Sequence, residues 1–128
     1  LPEGATALVY SRGSVPATSL GMLQKGMTSV TAASKVAYTA VAGDQIVVDT
    51  VANPVTITLP ASPAVGDEVT IMDGSASNGF ATNNCIIDRN SQPIEGAAAN
   101  DTLATNNQCV TLIYANATKG WLYKSTNQ

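Results

Sequence analysis

The chain contains no histidine, one phenylalanine and one tryptophan, and only 12% of its 128 residues carry charge. Without histidine, the usual general base of serine and cysteine nucleophiles is missing, which excludes an ordinary hydrolytic triad. The two cysteines, Cys85 and Cys109, have no histidine to complete a tetrahedral shell, so neither a metal nor a cofactor is expected. Each opens an apolar run and is read as a free thiol packed as a small hydrophobe, although a disulfide remains open if their strands are adjacent. Basic residues are as scarce: Arg12, Lys25, Lys35, Arg89, Lys119 and Lys124 lie scattered in a chain of net charge −3. No stripe of cations is available to neutralise phosphates, so nucleic acid is not an expected partner. Apolar runs stop at about five residues where a bilayer span needs about 20, and no charged leader with a hydrophobic centre opens the chain. Membrane insertion is therefore not expected either.

Other chemistry is missing by pattern. There is no glycine-rich phosphate loop. Ser34 and Lys35 are adjacent and cannot present their side chains to one another as a nucleophile and its base. Asp67 and Glu68 are also neighbours, and point to opposite faces if extended, which is wrong for the carboxylate pair of a glycosidase. Asp44, Asp49, Asp73 and Asp88 each fall at a strand end, where short carboxylates bond to backbone N–H groups of turns, and none has the Asp-x-Asp spacing of a calcium loop. Asn100-Asp101-Thr102 and Asn116-Ala117-Thr118 match a glycosylation triplet, a short pattern that arises by chance. The chain is not expected to be an enzyme.

What the sequence does contain is small and β-forming. Alanine supplies 19 positions and Thr, Ser and Asn together 35, whereas Leu, Ile, Val and Phe supply 28, so the core must be thin. From Val36 onward, turn signals arrive every 8 to 14 residues, the spacing of an all-β fold. Strands are expected at Val36–Ala40, Gln45–Asp49, Val55–Leu59, Glu68–Met72, Cys85–Asp88, Gln108–Tyr114 and Gly120–Lys124, with long loops over Asp73–Asn84 and Glu95–Asn107. No internal repeat is evident beyond a recurrent Val-Thr-Ile/Leu pattern. The expectation is an all-β domain over residues 36–128, a small antiparallel sandwich or barrel of about seven strands.

Residues 1–35 are broken by Pro2, Gly4, Gly13, Pro16, Gly21 and Gly26 and read as an extended N-terminal arm. Within it Ala7-Leu8-Val9-Tyr10 suits a short edge strand, and Leu20, Leu23 and Met27 one face of a short helix entered through Thr18 or Ser19. Leu8, Tyr10, Leu20, Leu23 and Met27 are candidate assembly contacts, because apolar side chains in a loose segment need a surface to cover. A thin core makes oligomerisation a natural source of stability, so copies of the chain itself are the first expected partner. Near the other end Trp121, Tyr123 and Tyr114 are the side chains suited to stacking on a sugar; the plainer role of a lone tryptophan in a thin β-core is a packing anchor.

One ordered set of motifs goes further. Tyr38-Thr39-Ala40, then Gly43-Asp44-Gln45-Ile46-Val47-Val48-Asp49-Thr50, then Val55-Thr56-Ile57-Thr58-Leu59-Pro60-Ala61-Ser62-Pro63 with Val65-Gly66-Asp67-Glu68-Val69-Thr70, Phe80-Ala81-Thr82-Asn83-Asn84, Ile94-Glu95-Gly96 and finally Gly120-Trp121, resembles a β-domain of tailed-bacteriophage virion proteins, mostly tail fibres and related fibre or decoration proteins. The resemblance spans about residues 36–124 and leaves the arm uncovered. It implies a homotrimeric, non-enzymatic component built into the virion with other virion proteins, assembled in the host cytoplasm; docking to the particle through the arm, which the resemblance does not reach, is a separate expectation. A carbohydrate-binding module holding a host-surface glycan is the alternative.

Overall fold

Val55-Thr56-Ile57-Thr58 is buried as its alternation predicts, with the valine and isoleucine inside and both threonines half-exposed. The same period-two burial runs through Gln45–Asp49, Glu68–Asp73 and Cys85–Asp88, so each of these strands has one dry face. The computed structural model describes residues 27–31 and 35–127, without the side chains of 125–127. Among the described residues there are nine strands and no helix: β1 (Met27–Thr31), β2 (Ala37–Thr39), β3 (Gln45–Asp49), β4 (Val55–Thr58), β5 (Glu68–Asp73), β6 (Cys85–Asp88), β7 (Asp101–Leu103), β8 (Cys109–Asn116) and β9 (Gly120–Asn127).

These strands form two sheets, one ordered β1-β3-β5-β8-β9 and the other β2-β4-β6-β7. From β1 to β6 the chain crosses from one sheet to the other at every connection. Each strand then lies parallel to the strand two before it: β3 beside β1, β4 beside β2, β5 beside β3 and β6 beside β4. The chain therefore winds, one rung running from Met27 to its partner Gln45 and the next from Gln45 to Thr70. Only β7, β8 and β9 enter antiparallel, β7 against β6, β8 against β5 and β9 against β8.

The corners explain why the chain changes sheet instead of folding back. After β4, Pro60 and Pro63 bring no N–H to a ladder, Ser62 takes a positive φ of 49° and Gly66 one of 96°, and Asp67 Oδ2 accepts from Ala64 N–H at 2.9 Å. Asp44, after β2, does the same for Val41 N–H and also accepts from the Tyr38 hydroxyl, at 2.9 and 2.8 Å. Asp49, Asp73 and Asp88 accept from the N–H groups of Val51, Ser75 and Asn90. The strand-end aspartates are turn caps, as their positions predict.

Between the sheets lies a single core. Like residues stack along it, Ile46 beside Ile71 beside Val110, Val30 beside Val48, Ile57 beside Ile87, and Val55 beside Cys85 beside Leu103. All are at most 2% exposed, and Phe80, Leu59, Leu112 and Trp121 close the remaining volume.

Several expectations are corrected. The fold is a two-sheet sandwich, but its sheets are mixed and not antiparallel, it has nine strands among the described residues instead of seven, and it does not close as a barrel. Short corners separate strands in either arrangement, so turn spacing could not tell a hairpin from a crossing to the opposite sheet about 10 Å away. Met27–Thr31, read as part of the arm, is a strand of the larger sheet beside β3, with Val30 fully buried. Met27 accordingly belongs to a strand and not to a helix; Leu8, Tyr10, Leu20 and Leu23 lie outside the described residues. A repeat does exist in space, and it escaped the sequence because its corners differ in length, which destroys any fixed period.

Candidate functional site

Two features of the surface matter for function: the end of the fold where β9 meets the β6–β7 connection, and the outward corners. The connection is shaped by backbone that few side chains tolerate. Asn90, Ser91 and Glu95 all have positive φ, as does Gly96 at 81°. Pro93–Gly96 then runs along the outer side of β9. Trp121 N–H donates to the Pro93 carbonyl at 2.8 Å, Glu95 N–H to the Trp121 carbonyl at 2.8 Å, and Gly96 N–H to the Lys119 carbonyl at 2.9 Å. The Glu95 carboxylate adds a fourth link, accepting from Tyr123 N–H at 2.8 Å.

Gly120 is required here. Its φ is 69°, and a Cβ at this position would collide with the Pro93 backbone. The Gly-Trp pair noted in the sequence is therefore a packing device, in which the glycine admits the Pro93 carbonyl and the tryptophan fills the core beneath.

Beside this junction an open cleft of about 200 Å³ is lined by Ile94, Glu95, Ala97, Ala99, Asn100 and Asp101. Its lining combines apolar Ile94, Ala97 and Ala99 with two carboxylates and an amide. Tyr123 reaches Asp101 Oδ2 through its hydroxyl, and Asp101 Oδ1 accepts from Thr102 N–H at 2.8 Å. Burial raises the Tyr123 phenol well above its ordinary range, and the Asp101 carboxylate pushes it in the same direction. Tyr123 therefore stays a hydrogen-bond donor at any physiological pH.

The expected stacking residues are not brought together on this surface. Trp121 is fully buried and its indole N–H meets no acceptor among the described residues. Tyr114 is 7% exposed, meets Trp121 edge-on with ring centroids 5.6 Å apart, and donates its hydroxyl to Gln92 Oε1 at 2.9 Å. Both are core anchors. Tyr123 alone keeps partial exposure, with its ring against the core. The sequence did not single out Glu95, Asn100 and Asp101 as polar groups lining one cleft. Glu95 drew notice only as part of Ile-Glu-Gly, and Asn100 and Asp101 only as a glycosylation triplet; neither pattern encodes that β7 pairs with β6 and turns these residues toward β9.

Exposed apolar side chains occur at the start of β1 and at three corners: Met27, Val36, Val41 and Val65 are 56%, 50%, 49% and 77% exposed. Met27 is the assembly candidate that falls within the described residues. Val41 and Val65 belong to successive corners on the same flank, before β3 and before β5, and Gly43 N–H donates to the Glu68 carbonyl between those corners.

The thiols are separate, Cys85 in β6 buried and Cys109 in β8 half-buried, and both are free. Burial pushes the Cys85 thiol up to about 12, an inert group. Among the described residues no group of three His, Cys, Asp or Glu side chains could hold a metal, and no helix is long and apolar enough to cross a membrane. No protein-family model matches the chain, and no curated protein matches it.

Proposed function

We propose that the chain is a non-enzymatic structural component of a tailed-bacteriophage virion, a homotrimeric fibre or decoration protein that joins the particle at its N-terminal end and presents the β-fold outward. The supporting observation is where the phage-like motifs fall on the fold. Thr58-Leu59-Pro60-Ala61-Ser62-Pro63 with Gly66-Asp67 is the corner between β4 and β5, Gly43-Asp44 is the corner between β2 and β3, and Gly120-Trp121 is the junction that closes the last sheet edge. The first two of these motifs thus lie at corners where the chain winds, and a wound stack of strands suits an elongated particle component. The exposed valines on one flank support contact between copies, since apolar side chains repeated along a stack offer each copy the same strip.

Light scattering on the isolated chain, together with a gold-labelled antibody raised against it and applied to phage particles, tests this reading. A mass of three copies and label on the particle surface are expected. A monomer absent from particles would reject it.

A second reading, adhesion to a host-surface glycan, is favoured by the cleft beside Tyr123. Its polar groups are two carboxylates and an amide, which accept from sugar hydroxyls and disfavour anionic sugars. Trp121→Ala does not probe this reading, because removing a buried indole unfolds the core before it informs on binding. Asp101→Asn on a glycan array does: loss of a neutral-sugar signal supports adhesion, and an array on which the wild-type chain binds nothing removes it.

A further inference from the structure

Asparagine followed by glycine occurs once in the chain, at Asn78-Gly79 in the connection between β5 and β6. An asparagine side-chain amide is open to attack by the backbone nitrogen of the next residue, and a glycine there has no side chain to block the approach. Every other asparagine is followed by a residue that has one. Many of those are also tied down: the amides of Asn83, Asn84 and Asn90 donate to backbone carbonyls, and those of Asn100, Asn106 and Asn116 accept from backbone N–H groups. Asn78 is exposed. Among the described residues its side chain makes no hydrogen bond, and its carbonyl accepts only from the Thr50 hydroxyl, at 3.4 Å. Asp73-Gly74, in the same connection, is the opposite case, since Gly74 N–H donates to the Val48 carbonyl at 2.8 Å and the Asp73 carboxylate is held by backbone N–H groups.

We propose that Asn78-Gly79 is a site of spontaneous modification, at which the asparagine converts to aspartate and isoaspartate and the isoaspartate form releases Phe80 from its anchor. The Gly79 nitrogen loses its proton and bonds to Asn78 Cγ, the Cγ–Nδ2 bond breaks, and ammonia leaves with that proton, so a cyclic imide remains. Water then opens the ring. Attack at Cγ gives aspartate, whereas attack at the backbone carbonyl gives isoaspartate, whose chain runs through Cβ and Cγ and is longer by one carbon. Nothing is oxidised or reduced, and water is the sole co-reactant. Gly79 is closely enclosed: a carbon built on it would collide with Asp73 Oδ2 and lie 2.7 Å from Asn106 Oδ1. Its carbonyl accepts from Thr82 and Asn83 N–H at 2.9 and 3.0 Å, and Phe80 N–H donates to Asp73 Oδ2 at 3.1 Å. An extra backbone carbon just ahead of these bonds displaces them, and with them the buried Phe80 ring. This inference is independent of the virion reading, since it concerns only the chemistry of the chain.

Storage of the folded full chain in mildly alkaline buffer, followed by peptide mass mapping and an isoaspartate-specific methylation assay, tests it. The Asn78 peptide is expected to convert ahead of every other asparagine, and the Phe80 amide of the separated isoaspartate fraction to lose its protection from hydrogen exchange. Asn78→Gly, which suits the φ of 46° at this position, should abolish both changes. Freshly purified Asn78→Asp carries the new charge without the extra carbon and should keep Phe80 protected. Earlier conversion at another asparagine overturns the proposal. So does a protected Phe80 in the isoaspartate fraction, or a loss of its protection in Asn78→Asp.

Discussion

Asp73 is the polar side chain whose loss should cost this fold most. It ends β5, and its carboxylate accepts from three backbone N–H groups: Ser75 at 3.0 Å, Phe80 at 3.1 Å and Asn107 at 3.0 Å. These belong to the two connections that flank the β5–β8 pair, so one side chain fixes both. Phe80, a fully buried core residue, is positioned by one of these bonds. Burial by itself would raise the Asp73 pKa, but the hydrogen bonds outweigh it and hold the carboxyl below its usual value. In Asp73→Ala the Asn107 N–H turns to water, while those of Ser75 and Phe80 are partly enclosed. Hydrogen bonds to a charged acceptor contribute about 1.5–3 kcal/mol each, and partial water access reduces that, so a loss of about 2–4 kcal/mol is expected.

Urea unfolding measures it. With an m-value of about 1–3 kcal/mol/M, the midpoint should fall by roughly 1–2 M at unchanged slope. Asp73→Asn keeps one acceptor oxygen and loses the charge, so it should fall between the wild type and Asp73→Ala. The pH dependence has a definite sign. Because the folded-state pKa is depressed, the contribution is present above the unfolded carboxylate value of about 4 and is lost as pH falls through the lower folded value. An unfolding free energy for Asp73→Ala within about 0.5 kcal/mol of wild type, the range of an ordinary surface substitution, would refute this role of the Asp73 carboxylate.

Gly120→Ala and Gly96→Ala form a paired test, since both have positive φ but only Gly120 abuts backbone, whereas a Cβ at Gly96 first meets the flexible Lys119 side chain at 3.6 Å. Gly96→Ala should cost about 1–2 kcal/mol from φ alone and Gly120→Ala clearly more; equal thermal shifts would contradict the argument for the Pro93 contact. Cys85 should resist iodoacetamide at pH 8 in the folded chain and react once urea unfolds it; peptide mass mapping reads this, and rapid native labelling at Cys85 would count against its burial. The Tyr123 phenol should ionise above the ordinary tyrosine range in an ultraviolet titration, a step removed by Tyr123→Phe and brought to lower pH by Asp101→Asn. Its raised folded value contributes stability that is complete below about pH 10 and is lost as pH climbs beyond it. An unchanged titration in Asp101→Asn would dismiss the pairing.

Strand positions were legible because alternation and burial share a cause. Gln45–Asp49 and Cys85–Asp88 match expectation end to end, since each is bounded by residues that leave a ladder. Pairing was not legible. Nothing in Val55-Thr56-Ile57-Thr58 distinguishes a partner reached by a hairpin from one reached after a complete rung. β1 was lost to its setting, because Met27-Thr28-Ser29-Val30-Thr31 offers one buried valine among polar residues and follows a glycine-rich stretch. β7 was lost to brevity, having only Leu103 to bury. The aspartate caps were legible from position alone. The cleft was not, since its polar lining groups converge only through the β6–β7 and β8–β9 pairings.

The winding also bears on why so little hydrophobic material suffices. In any half-buried sheet a slip of one residue exchanges a strand's two faces, so register has to be specified. Here each new rung lies on the one before it, and the inward positions repeat as columns, so Ile46 specifies the place of Ile71 and Val55 that of Cys85. Side chains need only be apolar and of modest size to fit a column, whereas bulky or aromatic residues become necessary where the repeat ends. That is where the chain spends them: Phe80, Tyr114, Trp121 and Tyr123 all lie at or beyond the crossing from β5 to β6, where rungs give way to antiparallel closure. Among the described residues the only aromatic ahead of that crossing is Tyr38, in β2 at the opposite end, with its hydroxyl on Asp44. Aromatic residues thus mark the two ends of the stack, and the threonine-lined strands between them are its repeating part.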